Sequence, residues 1–316
     1  MKERRTVLLA GAALLLLAYA AWAAPINTNG NVGVARTLSA RALKNVKMNI
    51  MLGVNYGPGG DMVQGPVDYN LDIAESEPFI TKSPTSGNDT LAPTTEVVEA
   101  ANLLSGNFSV AMGVAKIWDI AASVPFYYDW LGFGELAEGG MGDPEISTKV
   151  CIPPAGDVFY NAFYLAGTIP VGSSEGLLPR WASYENLQDT VEPAEGFYTY
   201  GNVSLKPMWL MTLDFSTGPK SVPIAMHLNF GAHLPLDGSG RYLGVGGFAF
   251  EYTPAEFITL FVDFNMEQRL DGISGDTFFR DPAFVTPGIE INTPAGLYLK
   301  LAGDFCVSRK NPVDRE

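Results

Sequence analysis

The stretch VPIAMHLNFGAH, Val222 to His233, indicates a β-strand because its side chains alternate between two kinds. One side of the alternation is apolar and comprises Val222, Ile224, Met226, Leu228 and Phe230. The other side is small or polar and includes His227 and His233. A β-strand with one apolar face has this period of two. Such a strand occurs in soluble sheets as well as in membranes, so the rest of the chain must distinguish the two environments.

The same alternation recurs along the chain in segments of nearly uniform length. They are 46–56, 107–115, 117–129, 144–152, 158–170, 200–215, 221–233, 241–252, 256–268, 283–292 and 296–308. Most span about ten residues, the length of a tilted strand that crosses a bilayer. The connections alternate between long (57–106, 130–143, 171–199, 234–240, 269–282) and short (116, 153–157, 216–220, 253–255, 293–295). Long loops at one end and tight turns at the other predict an all-β, antiparallel transmembrane β-barrel of about twelve strands.

Charged and polar residues occupy the face of these segments opposite to the apolar one. We expect them to line the lumen of the barrel: Lys47, Asp119, Glu145, Lys149, Lys206, Asp214, His227, His233, Glu251, Asp263, Glu267, Glu290, Lys300 and Asp304. Charges in a protein interior are costly, so they should pair with one another or meet water. A soluble periplasmic β-sandwich is the rival interpretation, in which the same charges would form the solvent face.

The N-terminus has the pattern of a cleaved export signal. A basic start is followed by an apolar run from Val7 and by the small-x-small site Ala21-Trp22-Ala23. We therefore predict a signal peptide at 1–23, an N-terminal periplasmic segment at 24–45, an outer-membrane barrel at 46–308 and a tail at 309–316. Removal of the signal leaves 17 basic against 33 acidic residues and a net charge of −16. This sign makes nucleic acid an improbable partner.

Eleven strands is an odd number, whereas bacterial single-chain barrels close with an even one. One hypothesis is that the sequence lacks a C-terminal closing strand after 296–308. The alternative is that VGVARTLSARAL, residues 32–43, supplies the twelfth strand, although its spacing suits a short periplasmic helix equally well. A homo-oligomer or a partner chain that completes the barrel is also compatible with the count.

The long loops are acidic, with eight acidic residues between Asp61 and Glu99 and five between Glu175 and Glu195. Acidic loops of this kind either bind divalent cations or form a solvated rim. The sequence contains no twelve-residue calcium loop pattern, so we predict no metal site, and we also predict no cofactor. Within the first loop, Pro93 to Ser105 reads as a short capped helix. The two cysteines, Cys151 and Cys306, are interpreted as buried thiols.

The histidines raise the question of enzymatic activity, because acyl hydrolysis needs a nucleophile beside an oriented base. In the sequence no serine stands at a recognisable position beside His227, and Asp237 is the only carboxylate close to His233. We therefore predict no enzyme and expect both histidines to make hydrogen bonds in the lumen.

The stretch GMGDPEISTKVCIPPAGDVFYNAFYLAGTIPVG, residues 140–172, resembles the outer-membrane transporter barrels named after the phenol-degradation meta-pathway proteins. The matching features are GxGD at Gly140, Gly142 and Asp143, a tight turn, and a strand that ends in IPVG at 169–172. The preceding WDIAASVPFYYDW is also similar, so the resemblance covers 118–172. It implies movement of small apolar or aromatic compounds across the outer membrane and carries no catalytic motif.

These observations predict passive diffusion or transport of small solutes through a barrel in contact with outer-membrane lipid. The alternative is a structural envelope anchor or adhesin whose charge-filled interior does not conduct.

Overall fold

The computed structural model describes a single antiparallel sheet. It covers residues 27, 31–43, 47–58, 101–131, 136–155, 158–173, 198–199, 201–217, 221–236, 242–270, 283–293 and 297–307. The strands are β1 (Met48–Pro58), β2 (Ala101–Ala115), β3 (Trp118–Leu131), β4 (Leu136–Met141), β5 (Glu145–Ala155), β6 (Phe159–Thr168), β7 (Ser204–Asp214), β8 (Ile224–Pro235), β9 (Leu243–Ala255), β10 (Ile258–Arg269), β11 (Ala283–Asn292), β12 (Tyr298–Ala302) and β13 (Phe305–Cys306). A 3₁₀ turn, Phe215–Thr217, follows β7. In these ranges there is no helix with the length and hydropathy needed to cross a membrane.

The strands follow one another in chain order across the sheet, β1-β2-β3-β5-β6-β7-β8-β9-β10-β11-β12. The short strand β4 pairs with β3, beyond the part of β3 that pairs with β5. In the same way, β13 pairs with β11, beyond the part of β11 that pairs with β12. Each of the eleven predicted strand segments corresponds to one of the strands on this path, which confirms the reading by alternation. Several boundaries are wrong: β2 begins at Ala101 instead of 107, β7 begins at Ser204 instead of 200, and β12 ends at Ala302 instead of 308.

The predicted helix from Pro93 to Ser105 is therefore wrong in its last third. Residues 101–105 pair with β1 and β3 as part of β2, while the earlier part of that prediction lies outside the described residues. The pairing of Leu104 with Tyr56 on β1 explains the difference, because a neighbouring strand overrides the local helical preference.

The connections alternate in length along most of the chain, as predicted, but the alternation fails at β8, where 215–223 precede the strand and the shorter 236–242 follow it. The strand ends leave only 116–117 between β2 and β3 and 256–257 between β9 and β10, whereas 59–100 separate β1 from β2. Because consecutive strands are adjacent and antiparallel, the long connections all leave one end of the sheet and the short ones leave the other.

The two faces of the sheet differ in a way that inverts the usual soluble pattern. Large apolar side chains are exposed on one face: Leu52 is 68% exposed and Trp209 is 50% exposed. The opposite face, which we call the polar face, buries side chains such as Asp119, Lys149 and Asp263 completely. All described strands belong to one sheet, so the polar face is not the outside of a two-sheet sandwich.

Residues 31–43, which we call the N-terminal segment, cover the polar face. They form a single bridge, Gly33 with Leu38, and no ladder with β12, so residues 32–43 do not supply a twelfth strand. The segment contacts strands from β2, where Ala111 clusters with Val32 and Leu43, to β12, where Lys300 bonds the Val34 carbonyl, which requires the sheet to curve around it. Within the described residues the sheet is open between β1 and β12.

Candidate functional site

The N-terminal segment folds back on itself in a tight turn at Val34 to Thr37. The Val34 amide donates to the Thr37 carbonyl at 2.9 Å, and the bridge between Gly33 and Leu38 closes the turn. Gly33 is required here, because a Cβ atom at this position would collide with the Thr37 carbonyl oxygen. The turn therefore presents three consecutive backbone amides, those of residues 35 to 37, to the sheet.

Asp263 on β10 accepts hydrogen bonds from all three of these amides. Its Oδ2 atom lies 3.1 Å from the Ala35 nitrogen, 2.7 Å from that of Arg36 and 2.9 Å from that of Thr37. The Thr37 hydroxyl donates to Oδ1 at 2.6 Å. Consecutive amides form an anion-binding concavity, and hydrogen bonds to a charged acceptor are stronger than neutral ones. Asp263 therefore fixes the turn to the sheet.

Arg41 connects the segment to two further strands. Its guanidinium donates to Asp214 on β7 at 2.9 Å and to Glu251 on β9 at 3.2 Å. Burial disfavours the charged guanidinium, but the carboxylates of Glu251 and Asp214 more than offset this effect, so the pKa of Arg41 lies above its ordinary value. Arg41 is therefore a cation, and it pairs with two buried acids.

Lys149 on β5 and Asp119 on β3 form a fully buried ion pair, 3.1 Å apart. The Lys149 ammonium also donates to the carbonyls of Ser39 at 3.2 Å and Arg41 at 2.7 Å. Asp119 accepts from the Leu43 amide at 3.0 Å. Each charge thus has a partner of opposite sign and hydrogen bonds to the backbone of the segment, which is the arrangement that a buried pair needs.

The middle of the segment binds the sheet through neutral groups. The Ala40 amide donates to the Thr212 hydroxyl at 2.9 Å. Asn229 on β8, with its amide oriented by its partners, accepts from the Leu38 amide at 2.6 Å and donates to the Leu38 carbonyl at 2.9 Å. These bonds satisfy backbone groups that have no strand neighbour.

The last strands contact the turn of the segment. Lys300 on β12 donates to the Val34 carbonyl and pairs with Glu290 on β11 at 3.1 Å. Arg36 pairs with Asp304 at 2.5 Å, with both side chains more than one third exposed. Described residues on β3, β5, β7, β8, β9, β10 and β12 thus all bond the same short segment.

Both histidines make hydrogen bonds on the polar face, as predicted. His227 Nδ1 lies 2.9 Å from the Thr212 hydroxyl, and His233 Nε2 lies 2.5 Å from the hydroxyl of Ser204. Ser204 also contacts the hydroxyl of Thr168. Sequence reasoning missed Ser204 because it stands 29 residues from His233 and becomes its neighbour only through the pairing of β7 with β8.

The predicted lumen residues divide by burial. Asp119, Lys149, Asp214, His227, His233, Glu251, Asp263 and Glu290 are buried, Lys47, Glu145, Lys206 and Lys300 are half-buried, and Glu267 and Asp304 are exposed. The structure brings most of the buried ones together around the N-terminal segment. Sequence reasoning missed the partners Arg41, Thr37, Thr212 and Asn229. Arg36 and Arg41 could have indicated these contacts, because they are cations in a segment that precedes strands with many acidic residues on one face.

The ends of the stretch 140–172 also meet. Asp143 accepts a hydrogen bond from the Gly172 amide at 3.0 Å, which ties the GxGD motif to the IPVG motif. Tyr198, fully buried, donates to Asp129 at 2.8 Å and stacks on Tyr127. These contacts join the end of the connection between β3 and β5, at Asp143, to the start of the connection after β6, at Gly172, and tie Tyr198 to β3. The acidic loop residues between Asp61 and Glu99 and between Glu175 and Glu195 lie outside the described residues.

Comparison with models of known protein families finds none that matches this chain. Comparison with curated proteins also finds no match. The function is therefore argued from the geometry alone.

Proposed function

We propose that this protein is an outer-membrane β-barrel whose apolar face contacts lipid and whose interior is closed by the N-terminal segment. The observation that carries the proposal is the inversion of the two faces. Exposed large apolar side chains occur on every described strand except β11, while ion pairs are buried on the opposite face. An exposed apolar patch on a soluble monomer rarely exceeds a few hundred Å², whereas a lipid-facing band surrounds the whole barrel.

The lengths of the strands and of their connections support the same proposal. Most strands on the path have ten to fifteen residues, and strands of this length span the hydrocarbon core when tilted. The predicted export signal at 1–23 and the grouping of long connections at one end agree with an outer-membrane barrel.

The paired charges favour a resting barrel that does not conduct, which is the anchor alternative. Lys149 and Asp119 pair with each other, and Arg41 pairs with both Asp214 and Glu251, so each of these charges already has a partner within the protein. The backbone of the segment occupies the space between these side chains. A structural role in the envelope therefore needs no movement of the segment.

Passage of small solutes is the second candidate, and the wall at β1 and β2 favours it. Asn49 and Ser109 are buried on the polar face, yet no described residue bonds the Asn49 amide or the Ser109 hydroxyl. Buried groups of this kind take water, which implies a hydrated strip beside the segment. The segment is held by polar contacts on a polar wall, so its displacement would leave a surface that water can wet.

Two measurements on the purified full chain test the proposal. Flotation with phospholipid vesicles tests membrane residence, and a protein that stays in the aqueous fraction refutes the barrel. Current across a planar bilayer tests the interior, and the wild type should pass no steady current. Asp263→Asn should pass current intermittently, because the turn of the segment loses its anionic acceptor. Asp304→Asn, which removes only the exposed pair with Arg36, is the control. Steady conduction by the wild type would reject the closed interior and leave solute passage as the function.

A further inference from the structure

Two buried acids, Asp214 and Glu251, lie in one row across the sheet with Ala225 between them. Asp214 on β7 is opposite Ala225 on β8, and Ala225 is opposite Glu251 on β9. Neighbouring strands are about 4.8 Å apart, so the backbones that carry the two acids are about 10 Å apart. The short side chain of Ala225 leaves room for a third group between the carboxylates. We call this row the acidic cradle.

The sheet positions both carboxylates through groups outside the N-terminal segment. Asp214 Oδ1 accepts hydrogen bonds from the Ser216 amide at 3.0 Å and from the Ser216 hydroxyl at 2.5 Å. Glu251 Oε1 lies 3.3 Å from Nε2 of His227 on β8. Each carboxylate therefore has one oxygen in contact with the sheet or its turn, while its other oxygen is directed into the acidic cradle.

Arg41 fills the acidic cradle with all three sides of its guanidinium group. One terminal nitrogen donates to Asp214 Oδ2 at 2.9 Å and the other to Glu251 Oε2 at 3.2 Å, while Nε donates to the Ser39 hydroxyl at 3.0 Å. A planar guanidinium group bridges two separate carboxylates, whereas an ammonium group is a compact point charge. The Arg41 side chain is 21% exposed, so solvent reaches the occupied cradle.

We propose that the acidic cradle is a binding site for small solutes that carry a guanidinium group, and that Arg41 is the internal ligand that fills it in the closed state. The contacts of Ser216 and His227 belong to the sheet and its turn, so displacement of Arg41 leaves the two acids in position. This inference deepens the second candidate function, because it names a class of solute for passage. It rests on the proposed barrel for that role, whereas binding in the cradle does not require a membrane.

Removal of the internal ligand in the full chain, purified in micelles, tests the site. Arg41→Ala empties the cradle, and the probe is methylguanidinium, with methylammonium at the same concentration as the matched control. A ligand at about ten times its Kd shifts the unfolding equilibrium about tenfold toward the folded state. We expect about 10 mM methylguanidinium to cause a shift of this size in urea unfolding of Arg41→Ala, and methylammonium to cause less than about a twofold shift. The wild type, whose cradle is filled, should also shift less than about twofold.

The double variant Arg41→Ala/Ala225→Leu tests where the ion binds. Leu at position 225 fills the floor of the cradle and leaves both carboxylates in the chain, so the double variant should lose the response to methylguanidinium. Arg41→Ala exposes two buried acids to each other without a cation and so is expected to be less stable than the wild type. If it does not refold alone, the refolding yield becomes the readout, and methylguanidinium should raise this yield while methylammonium should not.

Three results would overturn the proposal. They are no response of Arg41→Ala in either readout, equal responses to the two cations, and a response that persists in the double variant, which would place the ion elsewhere. Vesicle flotation of the wild type distinguishes this inference from the proposed function. A protein that floats but gives no response loses only the binding site, whereas one that responds but does not float loses the barrel and keeps the site.

Discussion

Replacing Lys149 by Met tests whether the buried charges hold the N-terminal segment to the sheet. The change keeps the length and most of the volume of the side chain but removes the ammonium group. Asp119 then loses its ion-pair partner, and the carbonyls of Ser39 and Arg41 lose a donor. Breaking a fully buried pair from one side costs about 3–5 kcal/mol of folding free energy, because the remaining charge is left uncompensated.

The companion variant Lys149→Met/Asp119→Asn separates this charge effect from packing. The Asp119→Asn change removes the uncompensated charge and still offers an oxygen to the Leu43 amide, so the double variant should recover about 1–2 kcal/mol of the loss. Lys116→Met, in the exposed turn between β2 and β3, is the matched control and should change stability by less than about 0.5 kcal/mol.

Urea unfolding in phospholipid vesicles, followed by tryptophan fluorescence, measures these differences. The reasoning would be refuted if Lys149→Met were no less stable than Lys116→Met. A double variant less stable than Lys149→Met alone would show that Asp119 is stable without its partner, which contradicts the assigned role of the pair.

Three further variants probe the segment and the sheet. Asp263→Asn should weaken the turn of the segment by about 1–3 kcal/mol, because the three amides lose a charged acceptor. Hydrogen exchange at residues 35–37 should become faster, and unchanged exchange there would count against the contact of Asp263 with the three amides. Arg36→Ala breaks an exposed pair with Asp304 and should cost less than about 1 kcal/mol in the urea assay, so a larger loss would contradict the surface character of this pair. Gly231→Ala places a Cβ atom 2.5 Å from the Pro207 carbonyl oxygen and should destabilise the protein by about 1–3 kcal/mol. Gly167→Ala is the control, because its Cβ atom meets only ordinary contacts and should not destabilise the protein. Equal stability of the two variants would contradict the close approach of β7 to β8.

The strands were predictable because their signal is local. Alternation along Val222 to His233 shows which side chains face the same side of the strand. The register of β8 with β9 agrees with this alternation, because His227 lies opposite Ala249 and both are on the polar face. The short connections also favour strands that are neighbours in the sheet as well as in the chain, whereas long ones such as 59–100 do not force this order.

The site was less predictable because its contacts join distant parts of the chain. Nothing near Asp263 in the sequence indicates that it binds the amides of residues 35 to 37, which lie more than 220 positions earlier. The alternatives for residues 32–43 were a helix or a twelfth strand, and both assume that backbone groups bond one another. Side chains of the sheet bond this backbone instead, and no periodic pattern reports such an arrangement.

The position of the N-terminal segment also sets an order of events in assembly. The segment near the start of the chain bonds β3 at Asp119 and β10 at Asp263, so its final contacts form only when most of the chain is present. Closing such long loops is slow because the entropy of a large intervening chain must be lost first. For the proposed membrane barrel, the sheet would have to curl with its charged face already gathered around the segment, since an unpaired charge in lipid is costly. Pairing of the buried charges is in this sense a step of folding as well as a property of the finished molecule.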